Sequence, residues 1–169
     1  MDTPTKSKDF DFKQIAAISS RVRLDDVHLT HIECSLAVPL KEALNSEMNV
    51  DISVSAKGEP RPDVPCIDVQ VSFGVVANRE KSAVKVLNLN ATIALRYGVD
   101  SVDQLAPDQI QSFAEVNGIY NAWPYLRELT QSLTTRMGLP PLLIPVYRVP
   151  RPKKNGTPAG DVGQVAEKS

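Results

Sequence analysis

The stretch VNGIYNAWPYLRELTQSLTTRMGLPPLLIPVYRVP, Val116 to Pro150, decides how this chain is read. It joins a punctuated amphipathic helix to an apolar strip stiffened by proline, and it holds no catalytic constellation. Asn121 is suited to cap a long helix, leaving Pro124 in the first turn, where a missing N–H is no loss. Trp123, Leu126, Leu129 or Thr130, Leu133 and Met137 then recur every three or four residues on one side, and Gly138 stops the helix. Leu139 to Tyr147, interrupted by Pro140, Pro141 and Pro145, can neither continue a helix nor join a sheet centre. An extended path across the surface is expected.

Upstream, three runs alternate between apolar and polar residues with period two. Met48, Val50, Ile52, Val54 and Ala56 form the first apolar row; Ile67, Val69, Val71, Phe73 and Val75 the second; Leu87, Leu89, Ala91, Ile93, Leu95 and Tyr97 the third. These are strands with one wet face. Lys57–Pro62 is expected to break the first pair, and Asn78–Lys81 to turn the second, so the strands should pair antiparallel. An earlier strand, Val27–Val38, slips phase around Thr30 and His31, where a bulge fits. Asp11 can cap a short helix carrying Phe12, Ile15, Ile18 and Val22, which should end near Arg21. Pro107 suits the first turn of another, carrying Ile110, Phe113 and Ala114 and ended by Gly118.

The chain has 169 residues, enough for one domain with a real core. Nineteen Lys and Arg balance twenty Asp and Glu, so net charge does not argue for nucleic acid. Cys34 and Cys66 lie in strands without metal-ligand spacing and read as buried free thiols of a reducing cytoplasm. No signal peptide or membrane span is evident. Residues 1–9 and the charged, Gly/Pro-containing tail 151–169 read as disordered, flanking one domain over 10–150.

The class implied is α+β: a four-stranded antiparallel sheet with a short and a long C-terminal helix on one face, plus a short N-terminal helix. Four strands about 4.8 Å apart span roughly 15 to 19 Å, whereas a helix with its side chains is about 10 to 12 Å across. One long helix cannot cover such a sheet. The surplus from Phe113 to Tyr147 is therefore expected to leave apolar surface for association or ligand binding.

In element order, and in the run Trp123-Pro124-Tyr125-Leu126-Arg127-Glu128 followed by a glycine and Leu139-Pro140-Pro141-Leu142, the chain resembles the SecB export-chaperone family from about Arg23 to Pro150. The resemblance implies an ATP-independent holdase that binds unfolded or nascent polypeptides, paired sheets, and a tetramer formed as a dimer of dimers. Members that engage the SecA motor carry an acidic sheet face and an acidic tail. Here the polar strand face offers only Glu33, Asp51 and Asp68 for docking, and the tail opens with Arg148, Arg151, Lys153 and Lys154. Some SecB-like chains instead protect an antitoxin, which gives the alternative of a dedicated partner.

Phe113, Tyr120, Trp123, Leu126, Leu142, Leu143, Ile144, Val146 and Tyr147 are the candidate client contacts, because aromatic and aliphatic groups supply area with little regard to sequence. For Trp123, Tyr120 and Tyr125, core or subunit interface is the competing assignment; for Leu142–Tyr147, groove and interface both fit. His28 and His31, three apart on a strand, should face opposite ways and not share a metal. Asp25-Asp26 reads as a solvated turn, and Arg127 and Glu128 as a solvated flank. No nucleotide, hydrolase or metalloprotease motif occurs, so neither enzyme chemistry nor a cofactor is expected.

Overall fold

The computed structural model describes residues 11–149, apart from 46, 62 and 81–83. The expectations for residues 1–9 and 151–169, and for Lys81, Pro150 and the basic residues Arg151, Lys153 and Lys154, lie outside the described residues. The element order is α1 (Phe12–Ser19), β1 (Arg23–Leu36), α2 (Leu40–Leu44), β2 (Met48–Arg61), β3 (Cys66–Arg79), β4 (Lys85–Gly98), α3 (Pro107–Phe113), a π-helical turn (Ala114–Gly118) and α4 (Ile119–Arg136). The four strands form one antiparallel sheet in the order β1-β4-β3-β2. β1 and β2 are thus its two edges, and the link that carries α2 spans the sheet end between them.

Period-two patterning acts as expected in the central strands. Ile67, Val69, Val71, Phe73 and Val75 of β3, with Leu89, Ala91, Ile93, Leu95 and Tyr97 of β4, are buried together under Ile110, Phe113, Ala122, Trp123 and Leu126. Phe113 meets Tyr97 edge-on with ring centroids 4.9 Å apart, and Trp123 meets Phe73 at 6.1 Å. A smaller cluster of Ala43, Ala77, Val86, Leu87 and Leu139 closes the end of the sheet beneath α2. The pairing of β1 with β4 shifts register between Leu29 and His31, which is the bulge at Thr30. At the start of α1, Asp11 Oδ1 accepts from the backbone N–H of Lys13 at 3.0 Å and of Gln14 at 3.3 Å.

Three regions depart from expectation. Gly118 does not end a helix: α3, the π turn and α4 run on continuously, and Gly118 is helical with φ −60° and ψ −51°. Its lack of a side chain serves contact instead, because a Cβ there would lie 2.7 Å from Val69 Cγ1. Asn121 consequently caps nothing; its Nδ2 donates to Tyr97 Oη at 2.9 Å. Pro124 is interior and cannot donate to the Tyr120 carbonyl one turn back.

Second, Lys57–Arg61 is strand rather than break, with Gly58 paired to Val69 and Pro60 to Ile67. Pro60 is tolerated because β2 is an edge, and a Cβ on Gly58 would lie 2.9 Å from the Ile110 carbonyl, so glycine admits α3 to the strand. Third, α2 was not expected; its five residues are too few to show a period.

Gly138 does stop α4. At φ +82° it sits in the left-handed region, the Leu139 N–H donates to the Thr134 carbonyl at 3.0 Å, and the Gly138 N–H to the Thr135 carbonyl at 3.0 Å. The chain beyond, 139–149, runs without regular secondary structure and forms a strap over the helix and the sheet.

Candidate functional site

The strap is held by its backbone to side chains of α4. The Leu142 N–H donates to Thr134 Oγ1 at 3.0 Å, Arg127 Nε donates to the Ile144 carbonyl at 2.9 Å, and Trp123 Nε1 donates to the Pro145 carbonyl at 2.8 Å. The Tyr147 ring lies against Trp123 with centroids 5.0 Å apart. An irregular segment has no ladder to satisfy its peptide groups, so these three donors and acceptors substitute for one. Leu139 and Ile144 point inward and are buried; Leu143 and Val146 point out and are 70% and 61% exposed.

The nine candidate contact residues therefore fall into three groups. Phe113, Leu126 and Ile144 are in the core of the single chain, and Trp123 is buried beneath the strap. Leu142 and Tyr147 are half-buried against that core. Tyr120, 55% exposed on α4, joins Leu143 and Val146 at the surface. Between the start of the strap and the edge strand β2 lies an apolar cleft of about 260 Å³, lined by Met48, Val50, Leu87, Leu139, Pro140 and Leu142 among others. The sequence reading missed Met48 and Val50 as lining residues. Both lie on the apolar row of β2, and only the sheet order puts that row at an edge beside the strap.

A second apolar strip runs along β1, where Leu24, Leu29 and Ile32 are exposed. They pair across to Tyr97, Ile93 and Ala91, so they share the helix-covered face of the sheet but lie beyond the helices.

The opposite face is polar. Asp68 is engaged by Arg96, Nε to Oδ1 at 2.8 Å, with Arg61 at 3.7 Å; Asp51 accepts from Asn78 Nδ2 at 3.1 Å. Glu33 is on β1 and Asp51 on β2, at opposite edges and so about 14 Å apart by strand spacing. The three acidic residues form no contiguous array. On this face the expectation for the histidines is corrected: His28 pairs with Ala94 and His31 with Thr92, two solvent-face positions of β4. The bulge inserts Thr30 between them and brings both imidazoles to one side.

Cys34 and Cys66 are free thiols, half-buried and buried respectively, and burial raises both above the ordinary thiol pKa. Neither is primed as a nucleophile. Burial likewise raises Tyr97 and Tyr147, for Tyr97 against the lowering effect of the Asn121 hydrogen bond. Among the described residues no helix is long and apolar enough to cross a membrane.

The sheet order, the helix over one face and the strap define a SecB-like fold. The structure superposes on the SecB-like chaperone Rv1957 of Mycobacterium tuberculosis, solved in complex with a ChAD peptide from the Rv1956 HigA1 antitoxin. The TM-score is 0.72 at 19% identity, covering 82% of this chain and 99% of that one. In sequence, the chain is 30% identical over 122 residues to the uncharacterized protein MJ0357 of Methanocaldococcus jannaschii, a match that takes in 70% of this chain and 74% of that protein. The chain belongs to the same family as that protein. No family model matches it.

Proposed function

We propose that this chain is an ATP-independent holdase chaperone that binds unfolded or nascent polypeptide through the strap and the cleft beside it. The observation that supports this most is the strap itself: Leu143 and Val146 are held outward by a backbone fastened at Leu142, Ile144 and Pro145, next to an apolar cleft at a strand edge. Fastening keeps the apolar groups from collapsing onto their own core, so their burial remains for a client. Affinity then follows client apolar content and fades as the client folds. Tyr120, Leu142 and Tyr147 extend the same surface. Self-association through the exposed β1 strip, up to a tetramer, fits the reading.

A second reading, a dedicated chaperone for one partner such as an antitoxin, is favoured by the peptide bound to the Mycobacterium tuberculosis neighbour. The scattered acidic residues of the sheet face, of which Asp68 is paired with Arg96, give SecA less to dock on than an acidic array does. The test is light scattering of a chemically unfolded protein without nucleotide. Equimolar chain delays aggregation if the holdase reading holds; no delay with any of several unrelated clients, together with one dominant co-purifying protein, moves the assignment to the dedicated role. No delay and no bound partner removes both.

A further inference from the structure

The solvent face of β1, the face away from the strap, carries Asp26, His28, His31 and Glu33, which pair with Arg96, Ala94, Thr92 and Asn90 of β4. We propose that His28 and His31 form a two-imidazole clamp for a divalent transition-metal ion of the copper, nickel and zinc class. Three residues apart on a regular strand, the two rings stand on opposite faces; here the extra residue Thr30 restores them to one. The bulge is pinned, because Thr30 Oγ1 donates to the Thr92 carbonyl at 3.1 Å. The histidines therefore sit as alternate residues of a strand do, about 6.7 Å apart at Cα. Metal–nitrogen bonds of about 2.0 to 2.1 Å ask the two ring nitrogens to approach to roughly 3 Å, which rotation about the side-chain torsions allows at that spacing.

Two further observations support the clamp. Asp26 Oδ2 lies 3.0 Å from His28 Nδ1, so the carboxylate accepts a hydrogen bond from Nδ1–H and the Nε2 lone pair is left free for a metal, the way a carboxylate orients a metal-binding histidine. The residues opposite on β4, Ala94 and Thr92, are small, and Arg96, the nearest cation in register, is turned toward Asp68 on the far side. Among the described residues no group of three or more His, Cys, Asp or Glu is arranged to hold a metal. The clamp is accordingly an open, exchangeable two-ligand site, with water completing the coordination. Imidazole ligands put copper(II) ahead of nickel and zinc, and leave magnesium and calcium unbound. The proposal does not depend on client binding, which uses the other face.

The experiment is a titration of the tag-free, full-length protein with copper(II) and separately with nickel(II), read by calorimetry and visible absorbance, with thermal melts of every variant alongside. One ion per chain is expected. His28→Ala and His31→Ala each weaken it by on the order of 100-fold through loss of the second, tethered ligand, and Asp26→Asn by about 10-fold through loss of ring orientation. Magnesium gives no heat. Wild-type binding no tighter than that of the His28→Ala/His31→Ala double variant overturns the proposal, as does dependence on only one histidine. Asp26→Asn without effect overturns the orienting role.

Discussion

Serine at both Leu143 and Val146 separates client capture from folding. Both side chains project from the strap, 70% and 61% exposed, while the hydrogen bonds that hold the strap come from Leu142, Ile144 and Pro145 and are untouched. Complete burial of a Leu or Val side chain is worth about 1.5 to 3 kcal/mol, so the exposed fractions leave roughly 1 to 2 kcal/mol at each residue for a bound chain to gain. If a client covers half of that area, the double variant loses about 1 to 2 kcal/mol in all, which is roughly a 5- to 30-fold rise in Kd. Stability moves by no more than about 0.5 kcal/mol, since exposed positions contribute little to folding. Fluorescence anisotropy with a labelled, permanently unfolded polypeptide reads the affinity, and urea unfolding followed by Trp123 emission reads the fold; Trp123 is the single tryptophan of the chain. Unchanged affinity in a variant of unchanged stability refutes the assignment of the strap as the contact surface.

Trp123→Phe keeps an aromatic ring against Phe73 but loses the bond to the Pro145 carbonyl. A loss of about 1 kcal/mol in urea unfolding, followed by circular dichroism, is expected. Gly118→Val drives a branched side chain into Val69 and should cost about 1 to 3 kcal/mol; a variant as stable as the parent contradicts the close approach of helix and sheet there. Glu47 is held above the usual carboxylate range by its hydrogen bond to Glu80 and by that group's negative charge. Because the folded pKa is the higher of the two, the folded state binds more proton. Stability therefore falls slightly as pH rises from the ordinary glutamate value through the raised one, and Glu47→Gln should flatten that decline in melts recorded across the window.

Periodicity made the sheet legible. Every apolar row of β2, β3 and β4 faces the helices, and the phase slip at Thr30 marked a real bulge, because a side-chain period of two leaves a burial pattern that one residue's insertion visibly breaks. Gly138 was legible as a stop because only glycine takes its left-handed backbone cheaply. Gly118 was misread because glycine signals either a turn or a close contact, and sequence does not say which; the partner, Val69, is 49 positions away. Lys57–Arg61 was misread for a related reason, since proline and glycine break a central strand but not an edge, and edges are assigned by sheet order.

The candidate contact surface was legible only in part. Helical spacing put Leu126 on the apolar side of α4, and the strap's composition marked Ile144 as apolar. Whether each is covered depends on how the strap folds back, which three side-chain hydrogen bonds on α4 decide. The two histidines were misread for another reason: regular alternation assigned them to opposite faces, although the bulge already legible at Thr30 adds the residue that brings them to one.

In the proposed function the outward groups of the strap, with the cleft beside β2, are where an unfolded chain is held. Hydrogen exchange measured by mass spectrometry, with and without a saturating unfolded polypeptide, tests it at the residues concerned. Added protection is expected over 139–149 and at the Met48–Val50 end of β2, with the other edge strand, at Asp26–Glu33, unchanged apart from any effect of self-association. Protection confined to the polar sheet face, or none anywhere while binding is demonstrably complete, contradicts it.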